Sequence, residues 1–143
     1  MGEHAPNFVA VDWNGTIVPC FGQAPYPGAR AALAGLRAQG ILVCVVSRAS
    51  AAVVQADVAR AGVAADEVIG CEEKSPVLSD LRAQHGHGIY LGDTAADRVA
   101  SMEAGLPFLQ AGLEGQEPLA ADQVCFRTWE EAARLLAAEA GEA

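Results

Sequence analysis

Phe8-Val-Ala-Val-Asp-Trp-Asn-Gly-Thr16 decides how the rest of this 143-residue chain is read. Apolar, partly β-branched residues run straight into an acidic one, then a turn-forming Asn-Gly and a hydroxyl, which predicts a buried strand ending in a polar loop. The strand covers Phe8 to Asp12 and puts Asp12 at its carboxyl end. Ligands of an open α/β sheet bind at that end, so a carboxylate followed closely by a glycine free to adopt unusual backbone angles points to chemistry. The competing reading is an Asp that ends the strand and caps the next turn. Residues farther along have to separate the two.

Toward the N-terminus, Met1 to Asn7 is a polar lead-in, and His4 there reads as a solvated terminal residue. Toward the C-terminus, Ile17 to Gly28 carries three prolines and two glycines, which forbid a long helix and predict a loop or flap. Ala32, Leu33 and Leu36 recur at helical spacing between Ala29 and Gln39, with Gly40 as a stop. Ile41 to Val46 is a continuous apolar run, as in a parallel strand covered on both faces, and it ends in Ser47-Arg48. The alternation continues with a helix from Ala51 to Ala61, a short strand from Glu67 to Gly70 and a helix over about Pro76 to Gln84. A turn, His85-Gly-His-Gly88, leads into a strand from Ile89 to Leu91. Asp93 or Thr94 caps the next helix, which runs to about Ala104. Leu106 to Gln110 and Gln123 to Phe126 read as further strands and Thr128 to Ala138 as a last helix, with Glu139 to Ala143 a fraying tail. Strands alternating with helices predict one domain over residues 1–143, a Rossmann-like three-layer α/β sandwich on a mainly parallel sheet.

The composition excludes several classes. A formal net charge of −9 without a Lys/Arg-rich run argues against nucleic acid as a partner. No apolar run is long enough for a membrane span. Cys20, Cys44, Cys71 and Cys125 show no C-x-x-C spacing, and no apolar signal segment opens the chain, so reduced thiols in a cytoplasm are expected. Neither G-x-G-x-x-G after the first strand nor G-x-x-x-x-G-K-[ST] occurs, which argues against dinucleotide and P-loop binding.

Successive strand ends carry Asp12-x-Asn14-Gly-Thr16, Ser47, Lys74 and Gly92-Asp93-x-x-x-Asp97. In this order they resemble the four motifs of the haloacid dehalogenase-like superfamily of phosphohydrolases, over roughly Phe8 to Gln110. The resemblance implies a Mg²⁺-dependent phosphatase that hydrolyses phosphoric monoesters or acyl phosphates. Asp12 would be the nucleophile that becomes an aspartyl-phosphate. Asp12, the backbone carbonyl of Asn14 and Asp93 would hold Mg²⁺, with Asp97 in or near the outer shell. Ser47 and the backbone amides of Trp13 to Gly15 would bind phosphoryl oxygens, with Thr16 beside them, and Lys74 would offset the charge around Asp12. These residue types suit the task, because a dianionic ester meets a carboxylate only if cationic groups cancel the repulsion. Each also has an ordinary alternative: Lys74 a solvated charge at a helix start, Ser47 a helix cap, Asp97 a helix-surface carboxylate, Thr16 and Thr94 supports of loop geometry. Arg48 either reaches a phosphate or lies on the surface.

Two features depart from the family pattern. Its phosphatases usually carry an aspartate two places after the nucleophile, to protonate the leaving group and then activate water. Asn14 stands there, and a carboxamide cannot deliver and retrieve a proton. The alternative function is therefore a weakened phosphate-binding or regulatory domain. No cap-sized insertion occurs after the first motif or between the second and third, so the site is expected to be open. An open site suits a large phosphorylated partner, whose own bulk excludes water, or a homo-oligomer whose neighbouring subunit supplies a lid; the expected partner is a small phosphorylated metabolite or a phosphorylated macromolecule. Val18, Phe21 and Tyr26 would line substrate, form that interface, or only pack the loop.

Overall fold

The structure, a computed structural model, describes residues 5–141. His4 lies outside the described residues, as do Glu142 and Ala143 of the expected fraying tail. The elements alternate as β1 (Phe8–Asp12), α1 (Ala29–Ala38), β2 (Leu42–Ser47), α2 (Ala51–Ala61), β3 (Glu67–Gly70), α3 (Lys74–His85), β4 (Gly88–Gly92), α4 (Ala95–Ala104), β5 (Phe108–Ala111), β6 (Cys125–Phe126) and α5 (Trp129–Gly141). All paired strands are parallel, in the order β3-β2-β1-β4-β5-β6. The chain therefore reverses its direction of winding between β1 and β4, the crevice where ligands of such sheets bind.

Strand parity explains the two layers. Val9 and Val11 join a core under α1, α2 and α5, with Val43, Val45, Leu33, Val54 and Leu136. Phe8 and Ala10 point the other way, into a core with Cys44, Val46, Leu78, Leu81, Tyr90 and Ala104 beneath α3 and α4. All five residues of β1 are buried, as expected of a strand covered on both faces. Each fully buried Val or Leu contributes on the order of 1.5–3 kcal/mol. Asp12 shares the parity of Phe8 and Ala10, so it emerges on the α3/α4 side, where those helices begin.

The boundaries differ from expectation in instructive ways. α3 starts at Lys74, two residues before the expected Pro76; a proline in the first helical turn gives up an amide that has no intrahelical partner anyway. Ser50 caps α2, its hydroxyl accepting from the Val53 amide at 3.3 Å. That removes capping as the role of Ser47. Thr94, not Asp93, caps α4, in a capping box with Asp97. α5 runs to Gly141, past the expected end at Ala138 and into the tail expected to fray. Among the described residues no helix is long and apolar enough to cross a membrane.

Candidate active site

The loop after β1 folds back on itself. The Trp13 carbonyl accepts from the amides of Ile17 (3.0 Å), Val18 (3.2 Å) and Thr16 (3.3 Å), and the Gly15 amide donates to the Val18 carbonyl at 2.7 Å. The Gly15 and Thr16 amides are thus engaged within the loop, which changes the expected cradle of amides. Gly15 has φ 83° and lies so close to Asp93 that a Cβ would stand 2.1 Å from Asp93 Oδ2. Only glycine lets the β1 and β4 loops meet there.

Around that junction the charged groups gather. Lys74 Nζ donates to Asp12 Oδ1 at 2.7 Å, to Asp97 Oδ1 at 2.7 Å and to the Tyr90 hydroxyl at 2.9 Å. All three ammonium protons are engaged, and Lys74 is buried, so it is no solvated surface charge. Asp97 is buried as well: Oδ1 also accepts from Tyr90 at 2.7 Å, and Oδ2 accepts from the Thr94 hydroxyl at 3.0 Å and from the Asp93 and Thr94 amides at 3.2 Å. Through these bonds Asp97 orients Lys74 and the β4 loop. Thr16 is fully buried, its hydroxyl 3.5 Å from Asp12 Oδ2. Ser47 Oγ accepts from the Ala49 amide at 3.2 Å, leaving its own proton to donate.

Asp12, Asp93 and Asp97 can each offer an oxygen within 4.8 Å of the others. Three carboxylates therefore face one ammonium. Burial pushes Asp12 well above the usual carboxylate range; Lys74 opposes this and the Asp97 charge adds to it. Burial also raises Asp93, and the Asp97 charge adds to this. Burial raises Asp97 too, but the Lys74 charge and the bonds from Lys74, Tyr90 and Thr94 outweigh it, and its carboxyl sits below the usual range. For Lys74, desolvation is outweighed by Asp12 and Asp97, so its ammonium is held above the usual value.

The buried side-chain oxygens Asn14 Oδ1 and Asp93 Oδ1 have no hydrogen-bond partner. Orphaned oxygens in a buried cluster of carboxylates fit a hard divalent cation such as Mg²⁺, whose ligands are oxygens. Asp12, Asn14, Ser47, Lys74, Asp93 and Asp97 all line one open cleft of about 1130 Å³. Phe21, 36% exposed, and Arg48 also line it; Arg48 Nε donates to the Glu72 carbonyl at 3.0 Å.

Other expected residues lie elsewhere. The Trp13 side chain is fully buried and its indole donates to Asp57 Oδ2 at 2.8 Å, so only its backbone remains for a ligand. Val18 is fully buried in the core, and Tyr26 packs against that core with its hydroxyl on Glu114. Of the three apolar flap residues, Phe21 alone lines the cleft. Three contributors carried no sequence signal: Tyr90, which looks like one more strand residue; Asp57, on the buried face of α2; and Trp129, whose indole donates to the Thr16 carbonyl at 2.9 Å from 113 positions away. The Gly92-Asp93 motif two residues after Tyr90 is the one cue that could have flagged it.

No protein-family model and no curated protein sequence matches the chain. Solved structures do. A D,D-heptose 1.7-bisphosphate phosphatase from B. bronchiseptica, complexed with magnesium and phosphate, is similar at TM-score 0.75 and 16% identity, over 94% of this chain and 99% of that one. A HAD family hydrolase from Deinococcus radiodurans R1 with bound phosphate and sodium gives TM-score 0.75 and 14% identity, covering 96% and 97%. A 3-deoxy-D-manno-octulosonate 8-phosphate phosphatase from Moraxella catarrhalis, in complex with magnesium, phosphate and KDO, gives 0.69 and 19%, covering 95% and 88%. The fold is that of the haloacid dehalogenase-like phosphatases, an α/β sandwich on a parallel sheet.

Proposed function

We propose that this chain is a Mg²⁺-dependent phosphohydrolase of the haloacid dehalogenase-like superfamily, acting through an aspartyl-phosphate on Asp12. The observation that carries the reading is the 2.7 Å contact between Lys74 Nζ and Asp12 Oδ1 at the floor of an open cleft. A buried carboxylate beside a locked cation is what attack on phosphorus requires.

In this mechanism an Asp12 carboxylate oxygen forms the new bond to phosphorus while the ester bond breaks and its electron pair leaves with the departing oxygen. Lys74 trades one of its three bonds for a phosphoryl oxygen, the longest being the 2.9 Å contact to Tyr90. Asp97 keeps the ammonium in place throughout. The Ser47 hydroxyl donates to another phosphoryl oxygen. Asp12, the Asn14 backbone carbonyl and Asp93 would hold Mg²⁺, which when bound offsets the charge on the phosphoryl group. Water then attacks phosphorus and releases Asp12. Asn14 can orient the leaving group or that water but supplies no proton, so acyl and aryl phosphates, which leave unassisted, react faster than alkyl esters.

The neighbours' magnesium and phosphate, together with the orphaned Asp93 Oδ1, support this reading. Asn14 also favours a second one, a phosphate-binding or regulatory domain without turnover. The open cleft admits a small phosphorylated metabolite or a phosphorylated macromolecule, and a neighbouring copy of the chain could close it beside Phe21.

The test is phosphate release from p-nitrophenyl phosphate with Mg²⁺. Asp12→Asn should lower the rate by at least about 10³-fold. Equal rates for the two proteins would leave only the binding-domain reading.

A further inference from the structure

The amino end of the sheet, opposite the cleft, carries a second set of metal-ligating side chains. Cys44 in β2 and Glu67 in β3 are register partners on neighbouring parallel strands, so both point to the α3/α4 side. His85, the last residue of α3, closes over them: Nε2 lies 3.0 Å from Glu67 Oε2, and the imidazole packs against the Phe8 ring at 5.8 Å between centroids. Each of the three offers a donor atom within 4.8 Å of the other two. The Cys44 thiol is completely buried and makes no hydrogen bond among the described residues. Glu67 and His85 are half-buried, so the constellation opens to solvent on their side.

We propose that Cys44, Glu67 and His85 form a binding site for a borderline-soft divalent cation of the Zn²⁺ type. One sulfur, one imidazole nitrogen and one carboxylate oxygen are a zinc donor set; small side-chain shifts would bring them to the about 2.0–2.3 Å such an ion takes, with a water as fourth ligand. The hydrogen between His85 and Glu67 and the thiol proton leave as the ion enters. Magnesium, which takes oxygen ligands, does not compete for this site. The site is separate from the Asp12 cluster in chemistry and in position, and does not depend on the proposed activity. A bound ion would pin β2, β3 and the end of α3 together.

The experiment adds Co²⁺ to the reduced, EDTA-treated full-length chain in excess Mg²⁺, which fills the oxygen site. The wild type should take up about one equivalent and develop a thiolate-to-cobalt charge-transfer band. Cys44→Ser should lose the band, His85→Gln and Glu67→Gln should weaken binding by more than about tenfold, and Asp93→Asn should keep it. Absence of the band in the wild type overturns the proposal, as does its survival in Cys44→Ser. If the serine variant does not fold, unchanged cobalt affinity in both half-exposed variants overturns it equally.

Discussion

Asp12 and Asp57 are two buried carboxylates joined to the same tryptophan, one as its chain neighbour and one through its indole. Asp57 is saturated: it accepts from Trp13 Nε1 at 2.8 Å, the Gly22 amide at 3.1 Å and Arg60 Nε at 2.6 Å. The Arg60 bond leads the causes that hold its carboxyl below the usual range. Asp12 has one strong donor, Lys74, and two carboxylate neighbours, and burial lifts it far above that range. Burial alone therefore does not distinguish a tie from a reactive group; the count of donors does. Asp57 fastens the flap to the nucleophile loop, while Asp12 is left short of positive charge until a cation completes its surroundings.

That contrast can be broken at several points. The largest gain should come from Asn14→Asp, which adds a proton-carrying carboxyl beside Asp12. Turnover of alkyl phosphates should rise by about 10²–10⁴-fold, and that of acyl phosphates far less. Similar gains on both substrate classes would show that leaving-group protonation is not what Asn14 limits. Gly15→Ala drives a methyl into Asp93 and should cost about 10²-fold in kcat/KM with the fold retained by circular dichroism. An unchanged rate would mean that the two loops need not touch.

On the other side of Trp13, Asp57→Asn turns one acceptor into a donor facing donors. Stability should fall by about 1–3 kcal/mol in urea titrations near neutral pH. Because the folded Asp57 pKa is depressed, its contribution is fully present above the unfolded value and is lost as pH falls through the folded one. The gap between wild type and variant should therefore narrow in acid; a gap independent of pH would remove charge from the account. The smallest effect concerns Asp12 and Asp93, whose folded values are raised, so that without a cation their contribution is present at low pH and lost as pH rises. Mg²⁺ should accordingly raise Tm more at pH 8 than at pH 5, where it must displace protons. A reversed order would contradict the assignment of the raised pair.

Much of the site was legible because strand ends are local objects. An apolar run ending in Asp12, Ser47, or Gly92-Asp93 announces both the strand and the group it delivers. Lys74 was legible by position but not by environment: two glutamates precede it, and only its bonds to Asp12 on β1 and Tyr90 on β4 show it turned inward. Tyr90, Asp57 and Trp129 were illegible for a different reason. Their functional contacts span 16, 44 and 113 positions, and apart from the Gly92-Asp93 motif beside Tyr90 nothing in their own neighbourhoods separates them from ordinary core residues.

By itself the amino-acid order determined the alternation of strands and helices, the parity that sends Asp12 to one side of the sheet, and which polar groups stand at strand ends. Those follow from periodicity and backbone sterics, which act over a few residues. Only the tertiary structure decided which carboxylate is saturated and which is left wanting charge. Hydrogen bonds and Coulomb interactions depend on distance in space, and the fold sets those distances by closing loops across the whole chain.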